Sequence, residues 1–307
     1  RAECKEGQVL IFLHGFLGKW TTLIPLFIKN VPIVLQQHGE AVRYSKKRLI
    51  RRPWMFLFSI LEQFAYKNID RFFLLHRQAE KELREYVDPS KIVIRSCGVD
   101  FNLFRPMDKT VARGSLGLDP TRRYILFVGR INERKGARYL LEAMPSVLRD
   151  YPSTNLLLIG EARRGETLAG LKELIQRLAL EDSVNFLGKI DNAKLPLYYN
   201  AADVFVLPSL TEGLGLVLVE AAACNCPIIG TRVGGIVDLM ETLGKGILVP
   251  PRSPEALALA IKTVFEDPEK YKNLRETATP YSWDSILEKN FKVLEDLQQE
   301  YFSKMTS

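Results

Sequence analysis

Short apolar runs alternate along this chain with segments of helical period. Runs at Val9–Leu13, Ile33–Gln36, Phe72–Leu75, Tyr124–Val128, Leu156–Ile159, Val184–Leu187, Val204–Leu207 and Ile228–Gly230 have strand length and are rich in Val, Ile, Leu and Phe. Their near-continuous apolarity suits strands covered on both faces. Between them, Ala79–Tyr86, Tyr139–Leu148, Leu168–Leu178, Leu216–Cys224 and Pro254–Phe265 read as helices, and Trp283–Phe302 reads as a long terminal helix. Strand-helix alternation of this kind predicts an α/β fold of parallel sheets covered by helices.

Two turn segments after predicted strands carry candidate chemistry. After Tyr124–Val128 comes Gly129-Arg130-Ile131-Asn132-Glu133-Arg134-Lys135-Gly136. Cations at the carboxyl end of a parallel strand stand where open α/β sheets bind ligands. The Arg130 guanidinium matches two phosphate oxygens, and Lys135 adds a point charge. After Val204–Leu207 and Pro208 comes Glu212-Gly213-Leu214-Gly215-Leu216-Val217-Leu218-Val219-Glu220. Gly213 and Gly215 let backbone N–H groups approach a ligand, and the following helix N-terminus presents free donors to a phosphate. Glu212 on the loop and Glu220 about two turns further along would grip other parts of the same ligand. Solvated, shape-keeping turns remain the alternative for both segments.

These residues carry a resemblance. The segment Tyr124–Pro251 is similar to the donor domain of retaining glycosyltransferases of family 4, which have the GT-B fold. The matching pieces are Phe127-Val128-Gly129-Arg130 with Lys135-Gly136, Leu158-Ile159-Gly160-Glu161 and Phe186-Leu187-Gly188-Lys189-Ile190. They continue through Ala202–Ser209, Glu212–Glu220, Pro227-Ile228-Ile229 and Val233-Gly234-Gly235-Ile236. Upstream, Ser96–Asp100 with Phe104-Arg105-Pro106 resembles the interdomain segment, and His38-Gly39 resembles the end of an acceptor-domain strand. The departures are Ser96-Cys97 in place of Pro-Asn, Asn225-Cys226 where a Gly and a small residue are common, and Asp238 for a frequent Glu.

The resemblance implies two Rossmann-like domains facing across a cleft. It implies a hexose moved from a nucleotide-diphosphate sugar to a hydroxyl of a glycan or lipid-linked acceptor, with retention of anomeric configuration. Arg130 and Lys135 would hold the diphosphate, the N–H groups of Leu214, Gly215, Leu216 and Val217 would add donors, and Gly129 and Gly213 would line the site. Glu212 would bind sugar hydroxyls, Glu220 the ribose, and Ile190 would lie by the base. His38 would face the sugar from the other domain. With His38, Glu212, Arg130 and Lys135 as the catalytic set, no metal and no tightly bound cofactor is expected. A related sugar-nucleotide epimerase, a phosphorylase, or a donor-binding fragment without turnover are the alternatives. A dinucleotide dehydrogenase is disfavoured, because no G-x-G-x-x-G follows a strand.

Composition sets the frame around that site. The chain has 307 residues, 47% of them hydrophobic, enough for two domains, and no apolar run has the length of a transmembrane helix. The polar stretch Asp108–Pro120 places the expected boundary, giving an acceptor-side domain at 1–118, a donor domain at 119–280, and a helix at 281–307 that in the family crosses back. The chain begins at Arg1, and the family's first strand and Gly-rich loop have no counterpart before Val9, so the first domain is expected to be truncated.

Charge is uneven: residues 1–118 hold 20 Lys and Arg against 11 Asp and Glu, and the remainder is slightly acidic. The excess peaks across Arg43–Arg52, beside the aromatic, apolar Trp54–Leu61. That pairing would suit an anionic membrane surface, with a buried helix face as the alternative. Nucleic acid is not expected, since no binding motif accompanies the charge. Cys4, Cys97, Cys224 and Cys226 show neither zinc spacing nor a disulfide framework, which points to a reducing cytoplasmic setting; the inner face of the membrane follows only if the basic and aromatic pairing is a membrane surface rather than a buried helix face. His14, His38 and His76 include no pair at metal-ligand spacing, and Asp100, Asp191, Asp203 and Asp238 read as turn or cap residues.

Overall fold

The computed structural model describes residues 10–15, 25–27, 31–37, 61, 64–162 and 168–306. His38, Arg43–Arg52 and Trp54–Ile60 therefore lie outside the described residues. The chain divides into two compact units, Arg1–Cys97 with Asp284–Ser307, and Gly98–Trp283.

In the first unit, strands β1 (Ile11–Gly15), β2 (Ile33–Gln37), β3 (Arg71–Leu74) and β4 (Ile92–Ile94) form a parallel sheet in chain order. Helix α1 (Arg77–Leu83) follows β3 and is capped by the ring of His76, whose Nδ1 accepts the Ala79 N–H at 3.1 Å. One face of the sheet buries Ile33, Leu35, Phe72 and Leu74 with Ala79 and Leu83 of α1. The other buries Val34 and Phe73 against Leu297, which lies on the terminal helix α10 (Trp283–Thr306). Alternate residues of one strand thus serve opposite faces, as the pleat requires.

The second unit is built on a parallel sheet ordered β10-β9-β8-β5-β6-β7 among the described residues. Its strands are β5 (Arg123–Val128), β6 (Thr154–Ile159), β7 (Val184–Gly188), β8 (Val204–Leu207), β9 (Ile228–Thr231) and β10 (Ile247–Val249). Between and around them run α2 (Lys109–Leu116), α3 (Ala137–Asp150), α4 (Leu168–Arg177), α5 (Leu195–Ala201), α6 (Leu216–Ala223), α7 (Gly235–Leu243), α8 (Pro254–Glu266) and α9 (Leu274–Ala278). One face buries Ile125, Phe127, Leu156, Leu158, Val204 and Val206 under α3, α4 and α8. The opposite face buries Leu126, Val128, Leu157, Phe205 and Leu207 under α5, α6 and α7. Burial on both faces is the reason these strands are almost wholly apolar.

The stretch expected to be a polar boundary folds as α2. Its start is capped by Asp108, whose Oδ1 accepts the Val111 N–H at 3.0 Å, and Gly117 ends it in the left-handed region at φ 64°. The division of the chain falls instead at Cys97/Gly98, where the two ends of the second unit meet. Val99 N–H bonds Tyr281 O at 2.9 Å, and Trp283 N–H bonds Val99 O at 3.0 Å. A Cβ on Gly98 would stand 2.7 Å from the Trp283 ring, so this join needs a glycine.

Asp203 is neither a turn nor a cap residue. It accepts Arg113 at 2.7 Å, Lys109 at 2.9 Å and the Tyr124 N–H at 2.7 Å, tying α2 to the sheet. Cys224 and Cys226 are buried free thiols, and burial pushes Cys224 up to about 12. Among the described residues no helix is long and apolar enough to cross a membrane.

Candidate functional site

The chain runs β5, β6, β7 outward to one side, then returns to place β8 against the other side of β5. The neighbouring carboxyl ends of β5 and β8 are therefore the topological switch point, where open α/β sheets bind ligands. The loop after β5 carries Arg130 and Lys135, and the loop after β8 carries Glu212 to Val217. Topology alone brings the two charged motifs together.

Glycines let those loops touch. Gly136 has φ 69°, and a Cβ there would lie 2.0 Å from Pro208 O; a Cβ on Gly235 would lie 2.0 Å from Gly213 O. No side chain fits either contact, so the loops after β5, β8 and β9 pack backbone to backbone. Hydrogen bonds fix them: Leu210 N–H to Arg134 O at 2.7 Å, and Gly235 N–H to Glu212 O at 3.2 Å. Asn132 Oδ1 accepts the Lys135 N–H at 3.0 Å, which shapes the short 3-10 turn Glu133–Lys135.

Within this frame Lys135 Nζ donates to Glu212 Oε2, joining the two motifs through an ion pair. Ser209 Oγ, on a fully buried residue, bonds the same oxygen at 3.3 Å. The Lys135 and Glu212 side chains remain 21% and 14% exposed, so the pair opens to solvent on one side. Arg130 is exposed and makes no ion pair among the described residues. Helix α6 begins behind them at Leu216, with Gly215 in the left-handed region at φ 81° and no side chain capping its first turn. Its leading N–H groups and two neighbouring cations suit an anion.

Along α6, Leu216, Val217 and Glu220 form the half-buried stripe, and Leu218, Val219, Ala221, Ala222 and Ala223 are buried. Glu220 sits roughly 6 Å along the axis from Leu216. Its Oε2 accepts the Tyr199 hydroxyl at 2.7 Å. Burial pushes the Glu220 carboxyl up, and the Tyr199 bond pulls it back in part. Tyr199 is fully buried in α5, and burial together with the Glu220 charge holds its phenol well above the usual range, so it stays a donor.

The structure thus brings together Gly129, Arg130, Lys135 and Glu212–Val217, with Glu220 one turn down the same helix. Ile190 is half-buried against the second unit's core, beyond Gly188 at φ 67°. Two partners were not among the sequence candidates. Ser209 supports Glu212, and Tyr199 supports Glu220; a polar-tipped aromatic on a helix that must be buried was the available signal for the latter. Among the described residues no group of His, Cys, Asp or Glu is arranged to hold a metal ion.

Paired α/β units with parallel sheets, one bearing cationic and acidic groups at its switch point, define the class as a Rossmann-like α/β protein of GT-B make-up. Residues 108–280 match the family described as Glycosyl transferases group 1, and the chain belongs to that family. It is 37% identical over 203 residues to a D-inositol 3-phosphate glycosyltransferase of Segniliparus rotundus, covering 64% of this chain and 45% of that one. It is 35% identical over 269 residues to the protein of the same name from Geodermatophilus obscurus, covering 84% and 60%. The chain spans about half the length of the curated relatives it matches. The sucrose-phosphate synthase structure from Thermosynechococcus elongatus superposes with a TM-score of 0.79 at 30% identity, covering 94% of this chain and 73% of that one.

Proposed function

We propose that this chain carries the donor site of a retaining glycosyltransferase. That enzyme moves a hexose from a nucleotide-diphosphate sugar to a hydroxyl of a glycan or lipid-linked acceptor. The observation that carries the reading is the meeting of Arg130, Lys135, Glu212 and the uncapped start of α6 at the switch point of the second sheet. The names of its relatives, glycosyltransferases acting on D-inositol 3-phosphate, support the same class of reaction.

On this reading Arg130, Lys135 and the α6 N–H groups hold the diphosphate and offset the charge that grows on it as the sugar leaves. Glu212 takes sugar hydroxyls, Glu220 the ribose, and Ile190 lies by the base. The bond from the anomeric carbon to the phosphate oxygen breaks, and a bond to the acceptor oxygen forms on the same face. The acceptor proton passes to the departing phosphate oxygen, which leaves no general base for the protein to supply. By the resemblance alone, His38 is the acceptor-side candidate, and the sequence of Arg43–Arg52 with Trp54–Leu61 is the feature that would suit an anionic membrane surface in the cytoplasm.

The test is calorimetric titration with a panel of nucleotide sugars, beside a variant carrying Arg130→Ala and Lys135→Ala. One donor binds, and the variant loses at least about tenfold of that affinity, on the order of 1.4 kcal/mol. No binding by any donor to a chain shown to be folded overturns the reading. The anomeric configuration of the product, read by proton NMR, decides retention.

A further inference from the structure

Tyr199 is in direct contact with the candidate site, and its hydroxyl is committed to one atom there. Helix α5 is sealed into the core: Tyr199 is 0% exposed, with edge-on rings of Phe104 at 5.9 Å and Phe205 at 5.4 Å between centroids. Those contacts leave the phenol one fixed direction, and that direction ends on Glu220 Oε2. Glu220 Oε1 enters no hydrogen bond among the described residues and is not among the buried atoms left without a partner, so it reaches accessible space. One carboxylate oxygen is anchored and the other is presented. The presented oxygen lies on the half-buried stripe of α6 that starts at its anion-binding end.

We propose that Tyr199 is a positioning residue: it fixes Glu220 so that Oε1 accepts a ribose hydroxyl of the donor nucleotide, and so sets a preference for ribonucleotides over their deoxy forms. This rests on the reading of the site as one for a nucleotide sugar. The physical case is that a buried carboxylate without its anchoring donor turns to whatever donor is nearest, or takes up a proton. Either outcome removes a preset acceptor and leaves the diphosphate contacts at Arg130, Lys135 and α6 untouched. A hydroxyl that served only the core would have no reason to distinguish one nucleotide sugar ring from another.

The experiment titrates UDP, GDP, ADP and CDP, and the 2′,3′-dideoxy form of each, into the parent chain, Tyr199→Phe and Phe104→Leu. The parent binds one of the four ribonucleotides and prefers it to its dideoxy form. Tyr199→Phe lowers affinity for the ribonucleotide about tenfold and leaves the dideoxy form within about twofold, erasing most of the preference. Phe104→Leu, which loosens the same packing but keeps the hydroxyl, retains the preference. A second readout is the pH profile. The titratable groups that Glu220 meets are Tyr199 and, at the end of its own helix, Cys224. Loss of the Tyr199 bond lets burial raise Glu220 further, so in Tyr199→Phe the acid limb of ribonucleotide binding moves to higher pH.

Equal weakening of both nucleotide forms by Tyr199→Phe, or an unchanged preference, overturns the inference and leaves the donor site standing. Failure of all four nucleotides to bind the folded parent overturns the donor site and the inference with it.

Discussion

Asp203 and Glu212 stand at opposite edges of one sheet and put a partly buried carboxylate to different uses. At the amino edge, just before β8, Asp203 takes two cations and a backbone N–H at 2.7 to 2.9 Å. Arg113, its more buried partner, directs further donors to Ala201 O and Pro120 O at 3.0 Å. A cavity of about 360 Å³ opens beside them, yet its cations are engaged too: Lys109 with Asp203, Lys272 with Glu269, and Arg123 stacked over Tyr151 and Phe265. Among the described residues, at the carboxyl edge, the Glu212 side chain has only Lys135 and Ser209, that of Glu220 has only Tyr199, and Arg130 has no ion pair. Saturated charge holds elements together; unsaturated charge, kept partly open to solvent, is available to a ligand.

The largest break in that contrast comes from the carboxyl edge's backbone. Gly136→Ala forces a Cβ against Pro208 O at a left-handed φ. We expect a loss on the order of 3 kcal/mol in urea unfolding, together with loss of nucleotide binding. A variant that kept both would mean the loops after β5 and β8 do not need their close approach. Asp203→Ala comes next. It leaves Arg113, whose side chain is 8% exposed, without its carboxylate. Because Asp203 itself is 20% exposed, about 2 kcal/mol is expected rather than the full cost of a buried orphan charge. Nucleotide affinity measured well below the melting temperature should stay within about twofold. A matching collapse of binding would show that the two edges are not independent.

The same contrast explains what the sequence disclosed. Tyr124–Val128 and Val204–Leu207 were legible as strands because burial on both faces leaves no polar position to blur them. The site motifs were legible because their glycines and charges are local in sequence. β4 and β10 escaped because three residues each carry too little pattern. α2 escaped although Asp108 and Gly117 mark both of its ends, because its buried face is only Ala112 and Arg113. The Lys135–Glu212 and Tyr199–Glu220 contacts were out of reach for a different reason: strand order decides them, and strand order is not written in any local segment.

Lys135→Ala sharpens the comparison from the other side. Removing the lysine leaves Glu212, whose side chain is 14% exposed, with Ser209 as its remaining partner, so stability should fall by about 1 kcal/mol, less than for Asp203→Ala. Donor affinity should fall at least about tenfold, because the lysine's larger role is toward the ligand. A variant destabilised as much as Asp203→Ala, with donor affinity intact, would place Lys135 among the structural charges and remove it from the site.

The smallest effect has the most informative sign. Burial raises the Glu220 carboxyl above its ordinary value, so ionising it disfavours the folded state. That cost is absent below the unfolded pKa, about 4.3, and grows as pH rises through the folded one. Glu220→Gln keeps an acceptor for Tyr199 but carries no charge. Relative to the parent it should therefore gain stability between about pH 4.5 and about pH 7.5, in urea unfolding followed at both. Over the same range it should bind the ribonucleotide more weakly than the parent does. A stability gain coupled to a binding loss is what a charge kept for a ligand produces. Asp203→Asn provides the contrast, because a carboxylate saturated by donors should lose stability on the same neutralisation. If both substitutions shifted stability in the same direction, saturation would not be what separates the two edges.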